Sequence, residues 1–195
     1  MRTEMKRVLL VQLPIPQSNF GRQAGNTPLA AAWLSRAVGD LDGVAVSILP
    51  ESVVSYLGDA ALLDRILARE PDIVGFTVYS WNLERSLYLA HRLKAQSPIR
   101  IVFGGPEVTA DNPRLKGAAV DFLVFGEGEG VFRELLSDPK FWVRRSAVGT
   151  DDGFFASAPS PYLAGLLEPQ LGNVLLLETQ RGCPFRCGYC YYNKA

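Results

Sequence analysis

Residues 1 to 182 hold no cysteine, and the chain of 195 residues has a single histidine and no excess charge of either sign. Twenty basic residues balance twenty acidic ones, so no global field favours nucleic acid or an anionic membrane as partner. No stretch approaches the roughly 20 apolar residues that a membrane-spanning helix requires. The apolar run behind the basic start, Val8 to Val11, is far too short for a signal segment and leads into Pro14 and Pro16. The expected location is therefore the cytoplasm. An odd cysteine count, all of it clustered, excludes a disulfide framework and leaves metal binding or catalysis as the reason for the thiols. At 48% apolar and 21% charged the composition is that of an ordinary globular protein, long enough to bury a good core.

Short β-branched apolar runs alternate with longer helix-like stretches over the first 140 residues. RVLLVQ (7–12), VAVSILP (44–50), DIVGFTVYS (72–80), IRIVFGG (99–105) and DFLVFGEGE (121–129) read as strands, the last including its loop. Between them TPLAAAWLSRAV (27–38) is predicted helical, with Thr27 as N-cap and Pro28 at the first helical position. DAALLDRILAR (59–69), NLERSLYLAHRLKAQ (82–96, capped by Asn82), a weak NPRLKGAA (112–119) and EGVFRELL (129–136) complete the series. Strands buried on both faces and alternating with helices give a parallel sheet. The expected fold is α/β, a Rossmann-like, doubly wound domain over residues 1–140. From Phe141 the period is lost, and residues 141–172 read as an ordered linker in which Trp142, Phe154, Phe155 and Tyr162 must find cover. NVLLLETQRG (173–182) reads as one more buried strand, leading straight to the cysteines.

Those cysteines are Cys183, Cys187 and Cys190, in RGCPFRCGYC. A structural zinc site wants four ligands, commonly as two separated pairs, and a thioredoxin-type dithiol needs no third cysteine. An iron–sulfur cluster fits the three close thiols better, because three ligands on a four-iron cluster leave one iron open to a small molecule.

ETQRGCPFRCGYC resembles the signature of the radical S-adenosylmethionine superfamily. The resemblance implies that Cys183, Cys187 and Cys190 ligate a [4Fe–4S] cluster and that S-adenosylmethionine chelates the fourth iron, with Tyr189 against its adenine. Reductive cleavage to a 5′-deoxyadenosyl radical, fed by an electron donor such as flavodoxin or ferredoxin, would follow. In that family the cluster loop follows the first strand of a partial (β/α) barrel. Residues 173–195 are thus expected to be the start of such a domain, incomplete, loosely anchored and without turnover by itself.

Ligands of open α/β sheets bind beyond the carboxyl ends of the strands. There the sequence places Tyr79, Trp81 and Asn82 after the third strand. Gly104, Gly105, Pro106, Glu107, Val108 and Thr109 follow the fourth, and Gly126, Glu127, Gly128 and Glu129 the fifth. The order GFTVYSWN, FGGPEVTADNP, FGEGEGVFRELL, ahead of the three cysteines, resembles the cobalamin-binding domain of the B12-dependent radical S-adenosylmethionine enzymes. By that resemblance the three loops form a cobalamin rim. The commonest reaction it implies is methyl transfer to an unactivated centre of a small-molecule substrate. The alternatives are cyclisation or rearrangement, or a degenerate B12-type domain that only docks. From the residues alone, Glu127 and Glu129 would bind a ligand amide or ribose hydroxyl, or Glu129 would simply favour a helix N-terminus. Tyr79 and Trp81 would shelter a ligand or pack the linker. One departure stands out: no D-x-H-x-x-G loop is present, and LPIPQSNFG occupies its place, which implies cobalt without a protein imidazole. His91, four residues after Leu87, is expected on or beside the packed stripe of its helix.

Overall fold

The structure, a computed structural model, describes residues 5–15, 26–150, 153–167, 175–183, 185 and 187–189. Strand β1 (Lys6–Gln12) is followed by helix α1 (Leu29–Ala37), β2 (Val44–Ile48), a short α2 (Glu51–Val54) and α3 (Asp59–Leu67). Then come β3 (Ile73–Thr77), α4 (Leu83–Gln96), β4 (Arg100–Gly104), a single 3-10 turn at Pro113–Leu115, and β5 (Phe122–Gly126). Helix α5 (Glu129–Ser137), a 3-10 segment Pro139–Arg144, β6 (Ser146–Gly149) and α6 (Phe154–Ser157) close the series. The strands form one sheet in the order β2-β1-β3-β4-β5-β6, every pair parallel. This is the expected Rossmann-like α/β architecture.

Alternation along each central strand feeds two cores. Leu9, Val11, Val74, Phe76, Ile101 and Phe103 face the layer of α3 and α4. Val8, Leu10, Ile73, Val102, Phe122 and Val124 face that of α1 and α5. No polar face is left on β1 or β3, which is why their sequences read as continuous apolar runs. The chain crosses from β1 outward to β2 and returns on the other side to β3, so the topological switch point lies between the carboxyl ends of β1 and β3.

Five local expectations are corrected. The sheet continues beyond residue 140, because SAVG pairs beside β5 from Leu123↔Ser146 to Gly126↔Gly149. A four-residue edge strand is too short to show a period. Helix α1 begins at Leu29 with Pro28 at its cap and no side-chain cap bond, and Thr27 is buried. Asn82 stands at the cap position of α4 but does not cap it with its side chain. Residues 175–182 form no strand; 175–180 lie exposed and unpaired in any ladder, since apolar composition makes a strand only where an edge is offered. His91 is also exposed, because the buried stripe of α4 runs through Leu83, Ser86, Leu89, Ala90 and Leu93.

The aromatics of the 141–172 stretch do find cover. Trp142 packs edge-on to Phe122, Phe154 and Phe155 meet Trp33, and the Tyr162 hydroxyl bonds the backbone N–H and C=O of Leu176. No helix among the described residues is long and apolar enough to cross a membrane.

Candidate functional site

The carboxyl ends of β1, β3, β4 and β5 make a rim closed from within by one buried amide. Asn82, only 1% exposed, donates from Nδ2 to the carbonyls of Leu13 and Thr77, each at 3.1 Å. Its Oδ1 accepts from the Tyr79 backbone N–H at 2.8 Å. The side chain thus ties the end of β1 to the end of β3 across the switch point, with both of its N–H donors spent on the protein. Tyr79 and Trp81, just before it in the chain, stack on each other with centroids 4.4 Å apart and planes 6° apart. Trp81 remains 42% exposed, so the pair offers a flat apolar face to the rim. Burial, then the charge of Glu178, pushes the Tyr79 hydroxyl above the ordinary phenol range.

At the end of β1 the carboxamide of Gln12, also buried, donates from Nε2 to Asn26 Oδ1 and to the Thr27 carbonyl. Both partners are acceptors, because Asn26 turns its own Nδ2 to the Gln12 carbonyl. The network therefore fixes the amide orientation and leaves Gln12 Oε1 buried without a hydrogen-bond partner. An orphaned buried acceptor costs about 1–3 kcal/mol, which a ligand N–H would recover. Residues 16–25, which include all of the LPIPQSNFG loop after Ile15, lie outside the described residues.

The glycines of the rim pack closely against the protein's own backbone. Gly105 has φ +116°, and a Cβ there would stand 2.6 Å from the Val78 carbonyl oxygen. Gly126 has φ +70°, and its Cβ would stand 2.6 Å from the Gly149 oxygen. Both admit a neighbouring strand end of this protein, so they are explained by the sheet itself. Gly104, beside Val124, and Gly128, beside Leu34, also border the protein's own side chains. Of the β4 loop, Pro106 is exposed. Val108 and Thr109 are buried, Thr109 bonded to Asp111, and Glu107 is held by Asn112.

Glu127 and Glu129 hold the guanidinium of Arg181, a residue that sequence reasoning passed over. Its Nη2 lies 2.7 Å from Glu129 Oε1 and its Nη1 3.3 Å from Glu127 Oε2. Glu178 takes Nε and Nη2 at 3.1 Å each. The cation sits 4.4 Å from the Phe155 ring centroid and 5.9 Å from that of Trp33. Burial works against the charge, but the hydrogen bonds that the guanidinium donates to Glu129 and Glu178, with their negative charges, outweigh it and raise the Arg181 pKa. A lone arginine between an apolar run and a cysteine loop, opposite a doubly acidic loop, was the signal that could have found it.

Cys183 and Cys187, at the far end of this arm, are exposed and free; Cys190 lies outside the described residues. Tyr189 is exposed at 94%, and among the described residues no group of three or more potential metal ligands is assembled. A concavity of about 620 Å³ lies at the opposite, amino-terminal edge of the sheet between Lys6, Asp72, Arg100 and Trp142, away from every candidate residue.

Comparison with known proteins gives a consistent picture. The family described as B12 binding domain matches residues 24–136. The 2-(S-pantetheinyl)-carbapenam-3-carboxylate methyltransferase of Streptantibioticus cattleyicolor is 32% identical over 155 residues, covering 65% of this chain and 23% of that protein. The cobalamin-dependent radical SAM methyltransferase TokK of Streptomyces tokunonensis is 33% identical over 155 residues, with the same coverage, 65% and 23%. The anaerobic magnesium-protoporphyrin IX monomethyl ester cyclase of Rubrivivax gelatinosus is 28% identical over 216 residues, covering 94% of this chain and 38% of that protein. The chain spans about a quarter of the length of the two methyltransferases.

Proposed function

This chain belongs to the B12-binding domain family, and from that premise we propose that its strand-end rim holds cobalamin as part of a cobalamin-dependent radical S-adenosylmethionine methyltransferase. The observation that carries the reading is the family match over residues 24–136, which takes in β2 to β5 and with them most of the rim. The rim's own chemistry fits the group. Cobalamin carries amide N–H donors around its periphery, and Gln12 Oε1 is a buried acceptor at the switch point without a donor. The Tyr79–Trp81 stack supplies a flat apolar surface after β3. The glycines at 105 and 126 are each required by a close approach of the protein's own backbone.

Three closely spaced cysteines are the donor set of a [4Fe–4S] cluster with one open iron, and Cys183 and Cys187 are unpaired and accessible for that role. Cys190 would be the third ligand, and Tyr189, beside it, would meet the adenine of S-adenosylmethionine. When bound, cobalamin supplies the methyl group, and the cluster with S-adenosylmethionine supplies the radical that opens the substrate bond, given an external low-potential reductant. This chain's residues would bind and orient: Gln12 by accepting an amide proton, Trp81 by covering an apolar edge. The sole histidine stands on the outer face of α4, so these residues offer cobalt no imidazole.

Titration of the 195-residue protein with hydroxocobalamin, followed by gel filtration, tests the first half. Stoichiometric retention is expected, with no nitrogen splitting from histidine in the reduced cobalt EPR spectrum; free passage of the corrinoid would refute it. Anaerobic reconstitution with iron and sulfide tests the second, and a preference for zinc over the cluster would end it. A second reading, a domain that only docks, draws on Asn82, Glu127 and Glu129 being occupied by the protein itself. The same titration separates the two.

A further inference from the structure

Of the eight ion pairs among the described residues, three have both side chains exposed. Arg7–Glu70 has side chains 50% and 74% exposed, and Arg114–Glu84 59% and 71%; such pairs contribute little. Arg181 is different, at 16% exposed against 8% for Glu129. One guanidinium there satisfies three carboxylates, from Glu127, Glu129 and Glu178, using Nε and both Nη atoms. Phe155 closes over its face at 4.4 Å. Glu129 begins α5, where the helix N-terminus already favours a carboxylate, so the acceptor side is in place before the arginine arrives. Cys183 follows two residues later, a reach of about 7 Å of extended chain.

We propose that Arg181 is a positioning residue: gripped by the GEGE loop, it fixes the cysteine loop against the β5 side of the rim, and Glu127 and Glu129 serve that grip and make no contact with cobalamin. The grip itself stands on the geometry alone; the clause about cobalamin rests on the function proposed above. A lysine could not replace the arginine, because one ammonium group cannot fork to three carboxylates and lie flat on Phe155.

The test reads Arg181 directly, since trypsin cleaves after it only when the side chain leaves its carboxylates. Native proteolysis of the 195-residue protein, with the peptide ending at residue 181 followed by mass spectrometry, is compared for wild type, Glu127→Gln, Glu129→Gln and Arg181→Lys. Cleavage at 181 is expected to rise tenfold or more in Glu129→Gln, and severalfold in Glu127→Gln and Arg181→Lys, with cleavage elsewhere and thermal midpoint little changed. Glu127 is 28% exposed, so its variant keeps the test open if Glu129→Gln folds poorly. Hydroxocobalamin affinity is measured alongside and is expected to stay within twofold in Glu127→Gln. Unchanged cleavage in all three variants would overturn the positioning role. Loss of corrinoid affinity in Glu127→Gln, with wild type still binding, would return that carboxylate to the ligand. If wild type binds no corrinoid, the proposed function fails while the proteolysis still decides the grip.

Discussion

Replacing Asn82 by alanine is expected to destabilise the domain by about 3 kcal/mol, roughly 1 kcal/mol for each hydrogen bond lost. The figure follows from three contacts made by a side chain 1% exposed: Nδ2 to the Leu13 and Thr77 carbonyls and Oδ1 to the Tyr79 N–H. Neither Leu13 nor Thr77 has ready access to water, at 0% and 8% exposed, so their carbonyls gain little from the vacated space. A loss of that size is a large part of the 5–15 kcal/mol typical of a domain. Urea unfolding by far-ultraviolet circular dichroism would measure it, and the near-ultraviolet band of the Tyr79–Trp81 stack should fade in the same variant. Asn82→Asp is the sharper probe, because it keeps the Oδ1 acceptor and turns a donor into an oxygen facing two carbonyls. Buried and facing two carbonyl oxygens, the aspartate must have a folded pKa above the unfolded value of ~3.9. Relative to wild type, its stability should then be highest below that value and fall as pH rises through the folded pKa. A loss under about 0.5 kcal/mol in Asn82→Ala, against the 0.5–1.5 kcal/mol of even one net hydrogen bond, would show that Asn82 does not tie β1 to β3. So would a pH profile for Asn82→Asp parallel to wild type.

Gly126→Ala should cost about 2 kcal/mol or more, combining a left-handed backbone with a methyl group 2.6 Å from the Gly149 oxygen; a neutral result in urea unfolding would mean β6 is not held against β5 as described. The Asp40 carboxyl, bonded to Arg133 at 2.6 Å, is pulled down to about 2, chiefly by that bond. Its midpoint by NMR should climb toward the ordinary carboxylate range in Arg133→Met, and the stability it lends is present above the unfolded value and fades as pH falls toward 2; an unmoved midpoint would refute the pairing. Tyr79, with its pKa raised first by burial, should ionise later than an ordinary phenol. Its contribution to stability is full below the unfolded pKa of ~10 and is lost as pH rises through the folded one. Alkaline difference absorbance of wild type against Tyr79→Phe checks this, and loss of an ordinary phenol signal would contradict it.

The sheet was legible because β1, β3 and β4 are buried on both faces, and burial on both faces writes itself as an uninterrupted apolar run. Phe76 and Phe103, in edge-to-face contact at 5.5 Å, had to be inside whichever strands carried them. What the sequence hid was choice among partners. Asn82 could cap α4 or bond backward to Leu13, and only the approach of β1, 69 positions earlier in the chain, decides. SAVG became a strand because β5 offered an edge, whereas residues 175–182, despite their run of three leucines, did not. His91 was misplaced by one step of helical phase, since Leu87 is partly buried while Leu83, Ser86, Leu89 and Ala90 define the stripe.

The same ambiguity governs the rim. Glycine after a strand and a repeated acid in GEGE are equally what a bound ligand and a neighbouring segment would require, because both need room for a close backbone and a place for a positive or donating group. Here the neighbours are present: Val78 and Gly149 lie against Gly105 and Gly126, and Arg181 answers Glu127 and Glu129. Gln12 is the opposite case, a plain polar end to an apolar strand that sequence reasoning gave no role. Its Nε2 is spent and its Oε1 is not, so among the described polar groups at the switch point it is the one whose chemistry is incomplete. A ligand is best sought where the protein has left a bond unmade. On this rim the unmade bond is at Gln12 Oε1, at the end of β1, whereas the acidic loop after β5 is already occupied by Arg181.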